Sequence, residues 1–483
     1  MPDNFDFLQL DSVRGRLPII MYELNEVPWR IVDWYVAERP NSHFAKVLDR
    51  SLTYTTNTHD SGELHPWSTW PTVHRGVYND QHQIRFLNQD LSVADRFPPI
   101  WEILSSKGFK VGVFGSLQSY PVPSSGKYSF YVPDTFARSP ETWPARYSAF
   151  QRINLKQTAS DGAVASEVHV GGILFDAVRL PFLGVTPATF LRLAMHLRSE
   201  RRDGQYRARR PLMQAPLAFD VFLDAWRKTE PQFSTFFTNH VAGAMHRYWR
   251  YVFPEDFGLS NKGADDRFKR ETVLAAMDIA DDQVGRLADL AVKKDGTLVI
   301  LSSMGQEAVK RDPYQGELRL TDAERFAQAI GFSQRFRVNL AMQPDFNFEF
   351  DSEGAARHFI NRAVRLQSDD GKPLFYRVRQ QSATVNLSLA PWTSVLEREA
   401  VQFDDVGGLS TLKLADLGIT KFSRDPGTGY HQPKGIMIWH GAHVKACDGV
   451  RETIESAHIQ NLILYAMSAI EAPVVAEPAR VAL

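Results

Sequence analysis

The chain has 483 residues, 43% apolar and 23% charged, which implies packed globular cores and excludes a disordered or low-complexity polypeptide. A formal net charge of −1 gives no electrostatic ground for binding nucleic acid or an acidic membrane surface. The single cysteine, Cys447, excludes an internal disulfide and any thiolate metal cluster.

Residues 1–7 are acidic and interrupted by Pro2, unlike the basic and then apolar pattern of a signal peptide. No window approaches the roughly 20 apolar residues of a membrane-spanning helix. A cytoplasmic protein without a membrane span is expected. Residues 18–24 form a short apolar run entering a polar loop, the pattern of a buried parallel strand. Residues 100–107 read as an amphipathic helix closed by Gly108, followed by a strand over 109–114. A third strand is expected at 233–237. Apolar Val273, Leu274, Met277, Val284, Leu287 and Leu290 predict a helix over 272–292, which feeds a strand at 297–301. Residues 435–439 give the fifth strand.

Helix, glycine and strand in succession predict an α/β fold: a doubly wound, mostly parallel sheet flanked by helices, with two insertions. The core falls at 15–120, 231–309 and 425–483. A cap insertion is expected at 121–230, and a second insertion at 310–424 with strands near 335–340 and 375–378. The arginine-rich stretch 198–210 is interspersed with Glu200 and Asp203, as expected of a solvated face.

An open α/β sheet places its crevice at the carboxyl ends of its strands. Polar residues crowd those positions: Glu23, Asn25, Glu26, Thr69, His74, Asn239, His240, His246, Gln306, Glu307 and His431. Ser68 and Thr69 suit a helix N-cap with Pro71 in the first turn, and equally a phosphate-binding helix start.

Taken in order, residues 19–26, 68–76, 239–246, 298–305 and 429–435 resemble the alkaline-phosphatase superfamily. The likeness is to its phosphodiesterase/nucleotide-pyrophosphatase and phosphoglycerate-mutase-like branches. That resemblance implies hydrolysis of phosphate-type esters with two divalent metals about 4 Å apart and a Thr or Ser nucleophile. Thr69 matches the nucleophile. Asn25, followed by Glu26, stands where the first metal-binding Asp is expected, and Glu26 or Glu23 offers a substitute carboxylate. Ala242 replaces the Asp four residues before His246. Ser302-Ser303-Met304-Gly305 keeps the frame of a Ser-Asp-His-Gly motif without its ligands, since a hydroxyl and a thioether hold hard cations poorly. His431 matches the late histidine, with His440 and His443 as further candidates.

The resemblance therefore implies at most one divalent metal, Zn or Mn, on His246 and His431. Thr69, His74 and Glu26 are the catalytic candidates. Asn25, Asn239, His240, Ser303 and Gln306 are the ligand-binding candidates. The expected activity is a hydrolase or transferase acting on a phosphate- or sulfate-type ester. Two alternatives stand beside it: a pseudoenzyme binding a small anionic or sugar-linked ligand, and a scaffold interacting through its insertions. The expected partner is a small molecule, with homo-oligomerisation left open.

Overall fold

This computed structural model describes residues 10–124, 128–160, 164–165, 176–259, 266–309, 317–339, 341–342, 345–390, 398–405, 408–422, 427–444 and 450–471. Residues 1–7 and Cys447 lie outside the described residues.

The core strands are β1 (Ile19–Leu24), β2 (Ser51–Asn57), β3 (Val111–Phe114), β4 (Tyr128–Val132), β5 (Phe233–Thr238), β6 (Thr297–Leu301), β7 (Gly305–Ala308), β8 (Gly429–Gln432), β9 (Lys434–Gly441) and β10 (Glu452–Glu455). All but β7 and β8 form one eight-stranded sheet in the order β10-β2-β9-β6-β1-β5-β3-β4. β1 lies between β5 and β6 and is parallel to both, with Ile19 opposite Phe233 and Thr297. Only β9 opposes its neighbours, pairing antiparallel with β2 and β6. The sheet is therefore mostly parallel.

Burial on both faces explains the run in β1, whose six residues are all buried. Side chains alternate across it. Ile20, Tyr22 and Leu24 join a cluster with residues of α2 (His240–Val252) and α3 (Arg267–Lys293). Ile19 and Met21 join the opposite cluster with Leu301, Trp101 and residues of α1 (Pro66–Arg75). Helices thus cover both faces, and the carboxyl ends of β1, β5 and β6 share one edge.

The two inserted regions differ. Residues 121–230, expected as a cap, contribute β4 to the sheet edge and the buried helix Gln214–Thr229 to the core. Arg210 there is bound to Glu200 at 3.0 Å and Arg209 packs over Phe268, so part of the basic stretch holds local structure. Residues 317–422 instead contain a four-stranded antiparallel sheet, Phe336–Asn339, Asp345–Phe350, Thr384–Leu389 and Phe375–Gln381 in spatial order. This lobe has its own apolar cluster around Phe326, Phe348 and Phe359. Among the described residues no helix is long and apolar enough to cross a membrane.

Candidate metal centre at the carboxyl edge of the sheet

β1 ends in a turn that turns Glu26 out of strand geometry, with φ at +59°. That left-handed conformation is unfavourable for a residue with a Cβ, so neighbouring contacts must hold it. The Ser302 hydroxyl, at the end of β6, does so: it donates to the Leu24 carbonyl and accepts from Val27 N at 3.2 Å. The serine frame of the 302–305 motif thus pins the exit of the neighbouring strand.

β7 and β8 form an antiparallel hairpin stem in which His431 faces Gln306. The stem lies against α2, and Gly429 makes this approach feasible. A Cβ there would stand 2.6 Å from the Met245 carbonyl and 2.7 Å from Gln306 Oε1. The close packing lets His246 Nδ1 donate to the Gly429 carbonyl at 2.9 Å. That bond fixes the ring and aims Nε2 at Glu26.

Three elements therefore converge. Glu26 Oε2 lies 2.8 Å from His246 Nε2 and 3.4 Å from His431 Nε2, and the three ligand atoms all lie within 4.8 Å of one another. Gln306 Nε2 donates to the same Glu26 oxygen at 2.5 Å, while Asn25 Nδ2 donates to Oε1 at 2.8 Å. Burial pushes the Glu26 carboxyl up, but the His431 and His246 rings more than reverse this and hold it well below the carboxylate range. Desolvation lowers His246, yet the Glu26 charge overcomes it and the imidazole ends raised. His246 is the most open member, with a third of its side chain exposed.

The donor set fits one divalent cation. Ligand atoms about 2.0–2.2 Å from a tetrahedral ion stand about 3.3–3.5 Å apart, so only small shifts separate this arrangement from coordination. Two imidazole nitrogens and a carboxylate are a common three-ligand catalytic set. The Nδ1–H of His246 on a backbone carbonyl is the outer-shell bond that metal-ligating histidines use.

The other expected residues fall in different places. Thr69 Oγ1 and Ser303 Oγ are bonded at 2.8 Å, and both residues are fully buried. Asn25 is committed: Oδ1 accepts from Trp70 Nε1 at 2.8 Å and Nδ2 donates to Asn239 Oδ1 at 2.7 Å. The amide links α1, which carries Thr69, to Glu26. Met304 is fully buried.

His74 does not join this cluster. Its Nε2 bonds Glu23 Oε1 at 2.8 Å on the buried face of the sheet, with Trp70 and Trp101 packed around the ring. Glu23, considered as a substitute carboxylate, is paired there through Oε1 and does not join Glu26, His246 and His431. His240 faces α3: Nε2 donates to the Ala276 carbonyl at 3.0 Å and Nδ1 bonds Thr238 Oγ1 at 2.7 Å. Burial pushes His240 down to about 4. His440 and His443 lie at the opposite end of the sheet because β9 runs against the parallel strands. His440 bonds Ser51, and His443 bonds Asp295.

α1 also differs from its expected start. It begins at Pro66 after His65, so Ser68 and Thr69 lie in the first turn and Pro71 lies inside the helix. Pro71 has no N–H for the Trp67 carbonyl four residues earlier, and Gln118 Nε2 donates to it instead at 3.3 Å.

Sequence reasoning missed a second group beside the triad. The His65 ring stacks on Trp67, with centroids 4.4 Å apart, and stands edge-on to His431 at 5.8 Å. Arg377, from the 317–422 lobe, donates to His65 Nε2 at 3.1 Å and to Glu63 Oε2 at 2.9 Å. His65 lies four residues before Thr69, just ahead of the 68–76 motif, and that proximity was the available signal. Arg377 had none, sitting in a strand of alternating polar residues.

Fold and site together define an α/β protein with a carboxylate–bis-histidine centre at its sheet edge. No family model matches the chain, and no curated protein matches it. Among solved structures it is similar to phosphonoacetate hydrolase from Sinorhizobium meliloti 1021 in complex with phosphonoformate. That match has 11% identity and a TM-score of 0.40, over 94% of this chain and 96% of the other. It is also similar to murine ectonucleotide pyrophosphatase/phosphodiesterase 5, at 10% identity and a TM-score of 0.35 over 94% and 96%. Human ectonucleotide pyrophosphatase/phosphodiesterase 5 gives 10% identity and a TM-score of 0.38 over the same shares.

Proposed function

We propose that the chain is a hydrolase of phosphate- or sulfate-type esters that works with one divalent cation, Zn or Mn. The observation that carries this reading is the convergence of Glu26, His246 and His431 from β1, α2 and β8. A cation there supplies Lewis acidity toward an ester oxygen. Glu26 brings the charge that Ala242 cannot, and Gln306 and Asn25 hold its carboxylate in place. His246 Nε2 and His431 Nε2 offer the two nitrogen donors beside it. The exposed flank of His246 is where an ester and water reach the centre.

A second cation does not fit. The Ser303 hydroxyl is engaged with Thr69, Met304 is a buried thioether, and the Asn25 amide is engaged with Trp70 and Asn239. In hydrolysis the water oxygen bonds to phosphorus or sulfur, the ester bond breaks, and the leaving oxygen takes a proton. Thr69 acts here by tying α1 to the residues that follow β6, through its bond to Ser303. One observation favours a second reading, binding without turnover: the Thr69 hydroxyl is bonded to Ser303 and not to a base that could activate it as a nucleophile.

Metal analysis of the purified protein by inductively coupled plasma mass spectrometry tests the first reading, alongside turnover of p-nitrophenyl phosphate, phosphonate and sulfate. About one Zn or Mn per chain is expected, lost in Glu26→Gln, His246→Ala and His431→Ala together with turnover. A metal-free wild type sinks the reading. A metal-loaded wild type without turnover on the panel transfers support to binding.

A further inference from the structure

We propose that His65 contacts the bound ligand of this site, presenting a fixed Nδ1–H to an oxygen of a tetrahedral oxyanion. We further propose that Arg377 of the 317–422 lobe is the positioning residue that fixes it. The proposal rests on the reading of the site as one for phosphate- or sulfate-type groups, and it deepens that reading by assigning the residue that recognises the anion.

The tautomer follows from elementary hydrogen-bond chemistry. A guanidinium only donates, so at 3.1 Å from Arg377 Nη1 the His65 Nε2 must accept. A neutral imidazole that accepts at one nitrogen carries its proton on the other, which places the hydrogen on Nδ1. This Nδ1 is buried and, among the described residues, has no hydrogen-bond partner. Buried donors are almost always satisfied, so an unmatched one beside a functional cluster points to an acceptor brought by a ligand.

The surroundings keep that donor in place. Stacking on Trp67, nearly parallel at 10°, holds the ring, and its 83° edge contact with His431 sets it beside the triad. Arg377 is itself clamped. Nη2 donates to Asp345 Oδ1 at 2.8 Å, Nε to Ser388 Oγ at 3.0 Å, and Nη1 also to Glu63 at 2.9 Å. The lobe therefore reaches the centre through one rigid fork. His65 also ties this wall to the Thr69 helix, because its carbonyl accepts from Ser68 N at 2.9 Å and Thr69 N at 3.0 Å. An N–H donor next to a cation-binding triad selects an oxyanion, since a phosphate or sulfate group offers one oxygen to each.

Calorimetric titration of inorganic phosphate into the zinc-loaded full-length chain tests the proposal, with metal content measured in the same samples. His65→Phe keeps the ring stack and removes the donor. It is expected to weaken phosphate binding about 10- to 100-fold, the worth of a hydrogen bond to a charged group, with metal content unchanged. His65→Asn keeps a donor at the δ position and is expected to recover most of the affinity, whereas His65→Gln is not. In ¹⁵N-histidine spectra the Nδ1–H signature of His65, assigned by its loss in His65→Phe, is expected to disappear in Arg377→Gln. Unchanged affinity in His65→Phe, equal weakening by the Asn and Gln variants, or no phosphate binding by the wild type each overturns the proposal. A wild type without metal sinks the metal reading separately, and the same phosphate titration on that protein still reads His65.

Discussion

Glu26 shows how one residue redirects a site. The motif order of the sequence placed Asn25 at the expected carboxylate position, and which of the two neighbours faces the crevice was not legible. The answer lies in a backbone dihedral: φ at +59°, pinned by the Ser302 hydroxyl, carries the Glu26 carboxylate to His246 and His431. The two histidines were legible as a pair because their motifs survive. His240 and His74 were not separable from them, since a buried structural histidine and a ligand look alike in sequence. Their partners tell them apart, a backbone carbonyl for one and a buried glutamate for the other. A pH prediction follows for His240. Burial lowers it from 6.5 to about 4, so between those values the unfolded chain takes a proton that the folded chain refuses. Stability is therefore expected to fall as the pH drops from 6.5 to about 4, by about 3 kcal/mol from this group. Urea unfolding across that range checks it. The slope should flatten in His240→Phe, and an unaltered pH profile in that variant would falsify the assignment.

Among elements, the glycine of the 302–305 motif has a reason that the resemblance did not supply. A Cβ on Gly305 would stand 2.2 Å from the Lys434 carbonyl and 3.0 Å from Pro28 Cβ, so the start of β7 passes directly against the start of β9. Gly305→Ala is expected to cost about 1–3 kcal/mol in denaturant unfolding and to lower metal content by displacing Gln306, its neighbour in β7. A variant with wild-type stability and metal content would remove the close-packing explanation. Core strands and α3 were readable because apolar runs and helical spacing are strong local signals. The start of α1 was not, because Pro66 and the internal Pro71 both suit a first turn, and only the donation from Gln118 to the Trp67 carbonyl explains the second. The reversed direction of β9 was equally hidden. Strand periodicity carries no sign, and that reversal is what sends His440 away from the centre.

Across the whole molecule, the mostly parallel sheet was legible from the succession of helices, glycines and strands, while the character of the inserted regions was not. Residues 121–230 give β4 to the sheet, whereas residues 317–422 enclose an apolar cluster of their own. Separate cores imply separate cooperative units. Scanning calorimetry of the full chain is expected to show two transitions, with hydrogen exchange assigning one to 317–422. A single two-state transition would show that the polar contacts of Arg377 and its neighbours weld the lobe to the core.

The β7–β8 stem gives this architecture a genetic meaning. Everything from residue 309 to residue 428 is strung between the outer ends of two paired strands, so its entry and exit are neighbours in space. Length can be gained, lost or exchanged between those two points while Gln306 and His431 keep their register. Lineages that remodel what this chain recognises are expected to do so there, by swapping a cassette above an unchanged β7–β8 stem.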